Sequence, residues 1–368
     1  MERQETKVRI DIARHAEGYD IRIDGGLLAR LPELLRVRAR AHRYVVIADD
    51  RVAALYGGEV VERLNGAGLA AELLTFPAGE ANKNRASWAR LSDEMFALGC
   101  GRDTVVLALG GGVTGDLAGF VAGTFMRGVP LVQLPTSLLA MIDSSVGGKT
   151  GVDTPAGKNL IGVFLQPRLV AADTDVLATL PPEELRAGLV EAVKHGAIAD
   201  AEYFSFIERE LDAILALRRD AVEWLVTRSV QIKADVVARD EKEGGPRKTL
   251  NFGHTIGHAV EALSGFELLH GEAIAVGMVY EAAVGERLGI TREGTAERLR
   301  ALLDRMRMPT TIPATMPIDE VVAATRSDKK AREGRVEYSL IEEIGRAHPA
   351  AGRWSIAVDD AAVRRVGG

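Results

Sequence analysis

The pattern of apolar and polar residues along this 368-residue chain changes character twice. Near the start, Val8, Ile10 and Ile12 alternate with Arg9 and Asp11, and Tyr19, Ile21 and Ile23 alternate with Asp20 and Arg22. A period of two predicts two half-buried strands with a turn near Glu17 and Gly18. Residues 44–48 (YVVIA) and 104–109 (TVVLAL) are instead continuously apolar, as strands covered on both faces should be. Residues 71–76, 131–134 and 169–172 read as further strands, and 51–64 and 84–98 as helices. Such alternation predicts an α/β fold with a parallel sheet in a Rossmann-like domain. From Pro181 the pattern turns helical, starting with Pro181, Pro182, Glu183 and Glu184 as a helix opening. Helical periodicity returns over 222–239, 255–263, 273–288 and 295–306, with short strands expected near 336–341 and 354–358. The expected organisation is a Rossmann-like domain over residues 1–180 followed by a mostly α-helical domain over 181–368.

Composition narrows the class of partner. Hydrophobic residues at 47% and charged residues at 27% are those of a soluble globular protein. The opening MERQETKVRI has no apolar core of a secretory signal, and no apolar run is long enough to cross a bilayer, so no membrane association is expected. A net charge of −6 argues against a nucleic-acid surface, while leaving room for a local basic pocket that takes a small anion. The single Cys100 excludes an intrachain disulfide and fits a reducing, cytoplasmic location.

Three stretches carry candidate chemistry. The apolar strand at 104–109 runs into Gly110-Gly111-Gly112-Val113-Thr114-Gly115-Asp116 and then an apolar helix. A glycine turn there lets backbone N–H groups approach a phosphate at a helix N-terminus, although the order is GGGxxGD rather than GxGxxG. Asp49, just past the 44–48 strand, suits either a ribose hydroxyl or a helix cap. Next, Asp143 to Gly151 and the turn at Lys158 and Asn159 read as a polar loop of about twenty residues, whose glycines and lysines suit an anion. Last, three of the seven histidines fall in residues 251–272, NFGHTIGHAVEALSGFELLHGE, beside Asn251, Glu261 and Glu272. His254 and His258 are four apart and share a helix face, so spacing alone selects them as a metal-ligand pair. Glu191 and Lys194, three apart on the helix after Pro181, read by spacing as a surface ion pair.

Taken together, the motifs closely resemble the 3-dehydroquinate synthase family over about residues 47–344. The resemblance rests on GE-x-x-K at 79–83, GGGVTGDLAGFVAGTFMRG at 110–128 and PTSLLAMIDSSVGGKTGVD at 135–153. It continues through GKNLIGVFLQP at 157–167, LPPEELRAGLVEAVKHG at 180–196, RKTLNFGHTIGHAVE at 247–261 and HGEAIAVGM at 270–278. Residues 1–40 and 345–368 carry little of it.

The resemblance implies a lyase that turns 3-deoxy-D-arabino-heptulosonate 7-phosphate into 3-dehydroquinate and phosphate, a shikimate-pathway step toward aromatic amino acids. Oxidation at C5, phosphate elimination, reduction, ring opening and aldol closure follow one another, with NAD and a divalent metal, Zn or Co, as cofactors. The implied metal ligands are Glu191, His254 and His270, which moves His258 out of the ligand set and into phosphate and proton handling. NAD contacts are implied for Asp49, Glu80, Lys83, Gly111, Gly112, Asp116, Thr136 and Ser137. Substrate contacts are implied for Asp143, Lys149, Lys158, Asn159, Lys194, Lys233, Arg247, Asn251, His258, Lys329 and Lys330. Of these, Asp143, Lys149, Lys194, Asn251 and His258 carry catalytic duty. Arg127 is implied to reach the substrate phosphate of a neighbouring protomer in a homodimer. One departure stands out: His195 occupies a position where the family often has tyrosine, and its offset of about 100° from Lys194 suggests that it points elsewhere. Another sugar phosphate cyclase, or a metal-dependent polyol dehydrogenase, would share parts of this pattern. Lys233 and Arg247 together favour a substrate that bears a carboxylate.

Overall fold

The structure, a computed structural model, describes residues 18–265, 267–326 and 336–366. The expected strand at 8–12 and the Lys329–Lys330 pair lie outside these residues. Six strands form one parallel sheet: β1 (Asp20–Asp24), β2 (Arg43–Asp49), β3 (Ala71–Phe76), β4 (Thr104–Gly110), β5 (Leu131–Pro135) and β8 (Leu169–Asp173). The order across it is β1-β8-β5-β4-β2-β3. β6 (Lys149–Thr154) and β7 (Gly157–Phe164) form a separate antiparallel pair. The helices of this part are α1 (Leu31–Arg38), α2 (Asp50–Val52), α3 (Gly58–Gly66), α4 (Arg85–Ala97) and α5 (Gly112–Thr124).

The continuous apolar runs have a plain cause. In β2, Tyr44, Val46 and Ala48 pack into the core on one side of the sheet, and Val45 and Ile47 into the core on the other. Helices cover both faces, so neither face of the strand can be polar. The chain runs from β2 outward to β3, then returns to β4 on the other side of β2. That reversal opens a crevice at the carboxyl ends of β2 and β4, the place where ligands bind in sheets of this kind. Asp49 and Gly110 close those two strands.

The remaining helices are α6 (Pro182–Ala199), α7 (Ala201–Leu215), α8 (Arg219–Arg239), α9 (His254–Leu263), α10 (His270–Arg287), α11 (Thr295–Arg305), α12 (Ile318–Thr325) and α13 (Asp360–Arg364). Short pairs β9 (Glu337–Tyr338) with β12 (Ile356–Ala357) and β10 (Ile341–Glu343) with β11 (Arg346–Ala347) lie among them. α6 is almost wholly buried, packing on α7, α8 and α10. Its core is continuous with Leu138, Met141, Ile142 and Val146 from the stretch after β5, which ties the helices to the sheet beside the crevice.

One expectation is met and another needs correction. The alternation at residues 19–23 marks a strand, β1, which pairs in parallel with β8 at the sheet edge. The supposed irregular loop after Asp143 is mostly the β6–β7 hairpin. Gly151 faces Gly162 across that pair so closely that a Cβ on Gly162 would lie 2.2 Å from the Thr150 carbonyl oxygen. Glycines there permit a backbone approach that side chains would block, and they also erase the strand signal from the sequence.

Candidate active site

Three helices bring together a group of side chains that could hold a metal ion. α6 carries Glu191, fully buried; α9 begins at His254; α10 begins at His270. His254 Nε2 lies 3.6 Å and His270 Nε2 3.8 Å from the same Glu191 oxygen, Oε1. That oxygen is buried and has no hydrogen-bond partner. Leaving it bare is costly unless something else fills the place. Two donors each about 2.1 Å from a tetrahedral metal stand about 3.4 Å apart, so these separations suit one shared ion. The second nitrogen of each ring is fixed: His254 Nδ1 sits 3.1 Å from the Phe252 carbonyl, and His270 Nδ1 faces Glu261 at 3.7 Å. Outer carboxylates and carbonyls of this kind orient metal-binding imidazoles. Burial raises the Glu261 carboxyl, but His270 and Lys158 outweigh it and bring it down to about 2. Glu272 has another task, accepting from the Leu269 N–H at the start of α10.

His258, the spacing-based choice, stands beside this centre with its ring 5.2 Å from that of His254. Two other groups of potential ligands exist among the described residues: His258, Glu261 and His270, and Asp143, Glu191 and His195. In the first, Glu261 is already 3.1 Å from Lys158 Nζ, and in the second, Asp143 already accepts from Lys233 Nζ at 2.7 Å. The Glu191–His254–His270 group keeps a carboxylate oxygen unspent. Nor is the Glu191–Lys194 pair a surface one: the two side chains meet in an ion pair that is almost completely buried.

Cations ring this corner. Lys233 Nζ donates to Asp143 Oδ1 at 2.7 Å and to the Asp143 backbone carbonyl. Burial raises the Asp143 carboxyl, yet Lys233, His195 and Lys194 overcome it and hold it well below the usual carboxylate range. Burial lowers the Lys233 ammonium against the pull of Asp143. Arg247 is 2% exposed. Its Nη atoms donate to the carbonyls of Gly147 and Glu241, while Nε is buried without a partner. Tyr19 holds the other side of the same glycine, its hydroxyl accepting from the Gly147 N–H at 3.1 Å. Lys149 and Asn251 converge on the carboxylate of Glu243. On the hairpin, Asn159 takes φ +53° and its N–H donates to Asp153 Oδ1 at 2.8 Å. Arg127 is exposed, at φ +70° in the bend after α5.

At the crevice mouth, the Gly110–Gly112 turn leads into α5. A Cβ on Gly110 would lie 2.3 Å from Thr114 Oγ1, so this one position of the turn admits only glycine. Asp49 Oδ1 accepts from the N–H groups of Arg51 and Val52, and Oδ2 from the Thr114 hydroxyl. It therefore caps the helix after β2 and braces the glycine turn together. Thr136 N–H donates to the Gly110 carbonyl, and Ser137 Oγ accepts from Ala140 N–H. Lys83, buried, gathers Glu80 at 2.6 Å, Asp116 at 3.3 Å and Asp153 at 3.7 Å. Burial pushes the Asp116 carboxyl up to about 6 despite Lys83.

The family model described as 3-dehydroquinate synthase N-terminal matches residues 73–187, and the one described as 3-dehydroquinate synthase C-terminal matches residues 188–331. The chain belongs to the 3-dehydroquinate synthase family. It is 45% identical to the 3-dehydroquinate synthase of Symbiobacterium thermophilum, over 92% of this chain and 97% of the relative. Its activity is the family's, a lyase reaction that yields 3-dehydroquinate, and the expectations of family, fold and activity hold. Among solved structures it is similar to 2-deoxy-scyllo-inosose synthase complexed with carbaglucose-6-phosphate, NAD+ and Co2+. That match has a TM-score of 0.88 and 28% identity, covering 95% of this chain and 96% of the other. The 2-epi-5-epi-valiolone synthase from Streptomyces hygroscopicus subsp. jinggangensis 5008, with NAD+ and Zn2+ bound, matches at a TM-score of 0.87 and 28% identity over 98% of both chains.

Sequence reasoning missed four residues of the site. Asp153 and Glu243 sit inside quoted or neighbouring stretches but were passed over as loop charges. Tyr19 lies in a segment with little family pattern. His195 was set aside because it follows Lys194. The overlooked signal is that it also lies four residues after Glu191, hence on the same helix face.

Proposed function

We propose that Glu191, His254 and His270 hold one Zn2+ or Co2+ ion in the 3-dehydroquinate synthase reaction, with NAD at the mouth of the crevice and substrate between. The observation that carries this is the buried, unpartnered Glu191 Oε1 facing two imidazole Nε2 atoms. When bound, the metal supplies Lewis acidity at the C5 hydroxyl and NAD supplies a reversible hydride acceptor.

The chain's own residues do the rest. Gly111 and Gly112 open α5, whose first N–H groups lack intrahelical partners and can face a diphosphate. Asp49, Glu80, Lys83, Asp116, Thr136 and Ser137 complete the cofactor's surroundings. Arg247 and Lys233 take the substrate carboxylate. The bare Nε of Arg247 supports this, since the guanidinium is held by two carbonyls with the buried Nε–H still unused. Lys149, Lys158, Asn159, Asn251 and His258 receive the phosphate, joined by a lysine of the Lys329–Lys330 pair. The carboxylate of Glu243 already lies between Lys149 and Asn251, so these donors converge on a place that suits an anion. Lys194 faces the substrate oxygens beside the metal centre, and Asp143 stands ready for a proton at C6. Internal carboxylates balance these lysines and explain how a protein of net charge −6 holds a cationic pocket.

The chain works as two domains, residues 1–180 and 181–368, with the crevice between them. It works as a homodimer in which Arg127 reaches the partner's phosphate. Support comes from the exposed Arg127 and from exposed Met126, Leu160, Ile161 and Phe164 on α5's end and on β7, which packs against α5. Dependence on NAD and a lone, unpaired Cys100 suit the cytoplasm. Among the described residues no helix is long and apolar enough to cross a membrane.

The test is phosphate release from 3-deoxy-D-arabino-heptulosonate 7-phosphate with NAD and Zn2+ or Co2+ supplied. Phosphate and 3-dehydroquinate should appear in equal amounts with no net NADH. Net NADH formed from a polyol would point to a dehydrogenase instead.

A further inference from the structure

His195 is fully buried beside the metal corner. Its Nδ1 lies 2.6 Å from Ser229 Oγ on α8. Its Nε2 is buried, has no hydrogen-bond partner, and faces Asp143 Oδ1 at 3.7 Å. Lys233, one turn after Ser229 on α8, addresses that same oxygen from another side. Among the described residues Asp143 Oδ2 receives no hydrogen bond, and the side chain is 27% exposed. One carboxylate oxygen is thus gripped while the other receives no donor, on a side chain that is partly open to solvent.

The tautomer follows from this arrangement. A neutral imidazole donates from one nitrogen and accepts at the other. For Nε2 to donate to a carboxylate, Nδ1 must accept, so Ser229 donates its hydroxyl proton. Asp143, which can only accept, selects the ring form with Nε2–H, and Ser229, able to donate or accept, braces that form from the other side. An unpartnered buried donor this close needs only a small shift to close the bond.

We propose that His195, braced by Ser229, is a positioning residue that acts through Asp143, holding its Oδ1 so that Oδ2 faces the reacting carbon of the substrate. This rests on the reading of Asp143 as a substrate-facing group. It gives a task to the position where this chain departs from the tyrosine common in its family.

The experiment is a cycle of His195→Phe, Asp143→Asn and the double variant, read as kcat and KM, with metal and NAD content measured on each. Phenylalanine keeps the bulk and removes Nε2. His195→Phe should lower kcat about tenfold, the scale of a lost hydrogen bond to a charged group, with KM, metal and NAD content little changed. His195→Gln, which restores a donor, should recover most of the loss. In the Asp143→Asn background, His195→Phe should cost nothing further, because the two act as one unit. Full activity in His195→Phe, or a tenfold loss that persists in the Asp143→Asn background, would overturn the proposal and leave Asp143 in place. Full activity in Asp143→Asn would instead remove Asp143 from the reaction, and the positioning role with it. Should His195→Phe fold poorly, Ser229→Ala serves: a smaller kcat loss that vanishes in Asp143→Asn supports the role, and an unchanged kcat overturns it.

Discussion

The proposed metal corner and the cation rim around it are built on opposite principles. In the corner, Glu191, His254 and His270 come from three buried helices, their outer nitrogens are fixed, and one carboxylate oxygen is left bare. In the rim, nearly every cation already has an anion of its own: Lys149 has Glu243, Lys158 has Glu261, and Lys233 has Asp143. In the corner, the packing of three helices fixes the donors and sustains the cost of a buried carboxylate oxygen that receives no hydrogen bond. Lys149, half-exposed, rests on a Glu243 carboxylate that can regain water when a polyanion takes the lysine, and buried Lys233 has three N–H donors, so it can keep Asp143 while it takes a second anion. The corner is therefore the rigid part of the site and the rim the exchangeable part.

The largest expected effect falls on the corner. Glu191→Ala should empty the site of metal and abolish measurable phosphate release, while Glu191→Gln, isosteric but uncharged, should retain metal only weakly; metal content by mass spectrometry separates the two. Substantial activity in either would mean that the corner is not the catalytic centre.

Next comes the rim residue that most resembles the corner, the buried Arg247. Arg247→Ala should cost about 2–4 kcal/mol in transition-state binding, a fall of roughly 30- to 1000-fold in kcat/KM, by leaving the substrate carboxylate unpaired. Arg247→Lys should recover part, since an ammonium cannot form the planar fork. Equal losses on a neutral heptulose phosphate would make Arg247 structural and place it with the corner instead.

The cofactor turn gives a smaller effect and an internal control. A Cβ on Gly111 meets only Ser137 Oγ at 3.4 Å, so Gly111→Ala should fold normally and weaken NAD binding about tenfold, read by titration. Gly110→Ala, driven into Thr114, should unfold the turn and lower Tm. An unchanged NAD titration in Gly111→Ala would make the turn merely structural.

The smallest signal to be read concerns assembly. Arg127→Ala and Lys149→Ala, each expected to be nearly inactive alone, should regain a small activity through hybrid dimers when mixed. A monomer in sedimentation at working concentration would end the shared-site reading.

Much of this was legible in the sequence, and the gaps have physical causes. Runs such as YVVIA announced buried parallel strands because a doubly covered strand has no polar face to show. Residues 19–23 announced a strand but not its partner, since a period of two says nothing about pairing. Helices α6 and α7 share Asp200, which ends one and caps the next, so the boundary between them left no gap in the pattern. Spacing alone picked His254 and His258, because it weighs neighbours on one helix and cannot bring Glu191 to a histidine some sixty residues away. The same limit hid Glu243, whose place between Lys149 and Asn251 is set by a turn at φ +61°.

The contrast between corner and rim is tested most directly by titrating metal-free protein with Co2+ while following its visible absorption and phosphate release on the same sample. One Co2+ per chain should bind, with activity rising in step with the absorption, and His254→Ala and His270→Ala should each change the spectrum. Phosphate release that is complete before Co2+ is added, or Co2+ taken up with the same spectrum by Glu191→Ala, would contradict the assignment of the corner as the metal site.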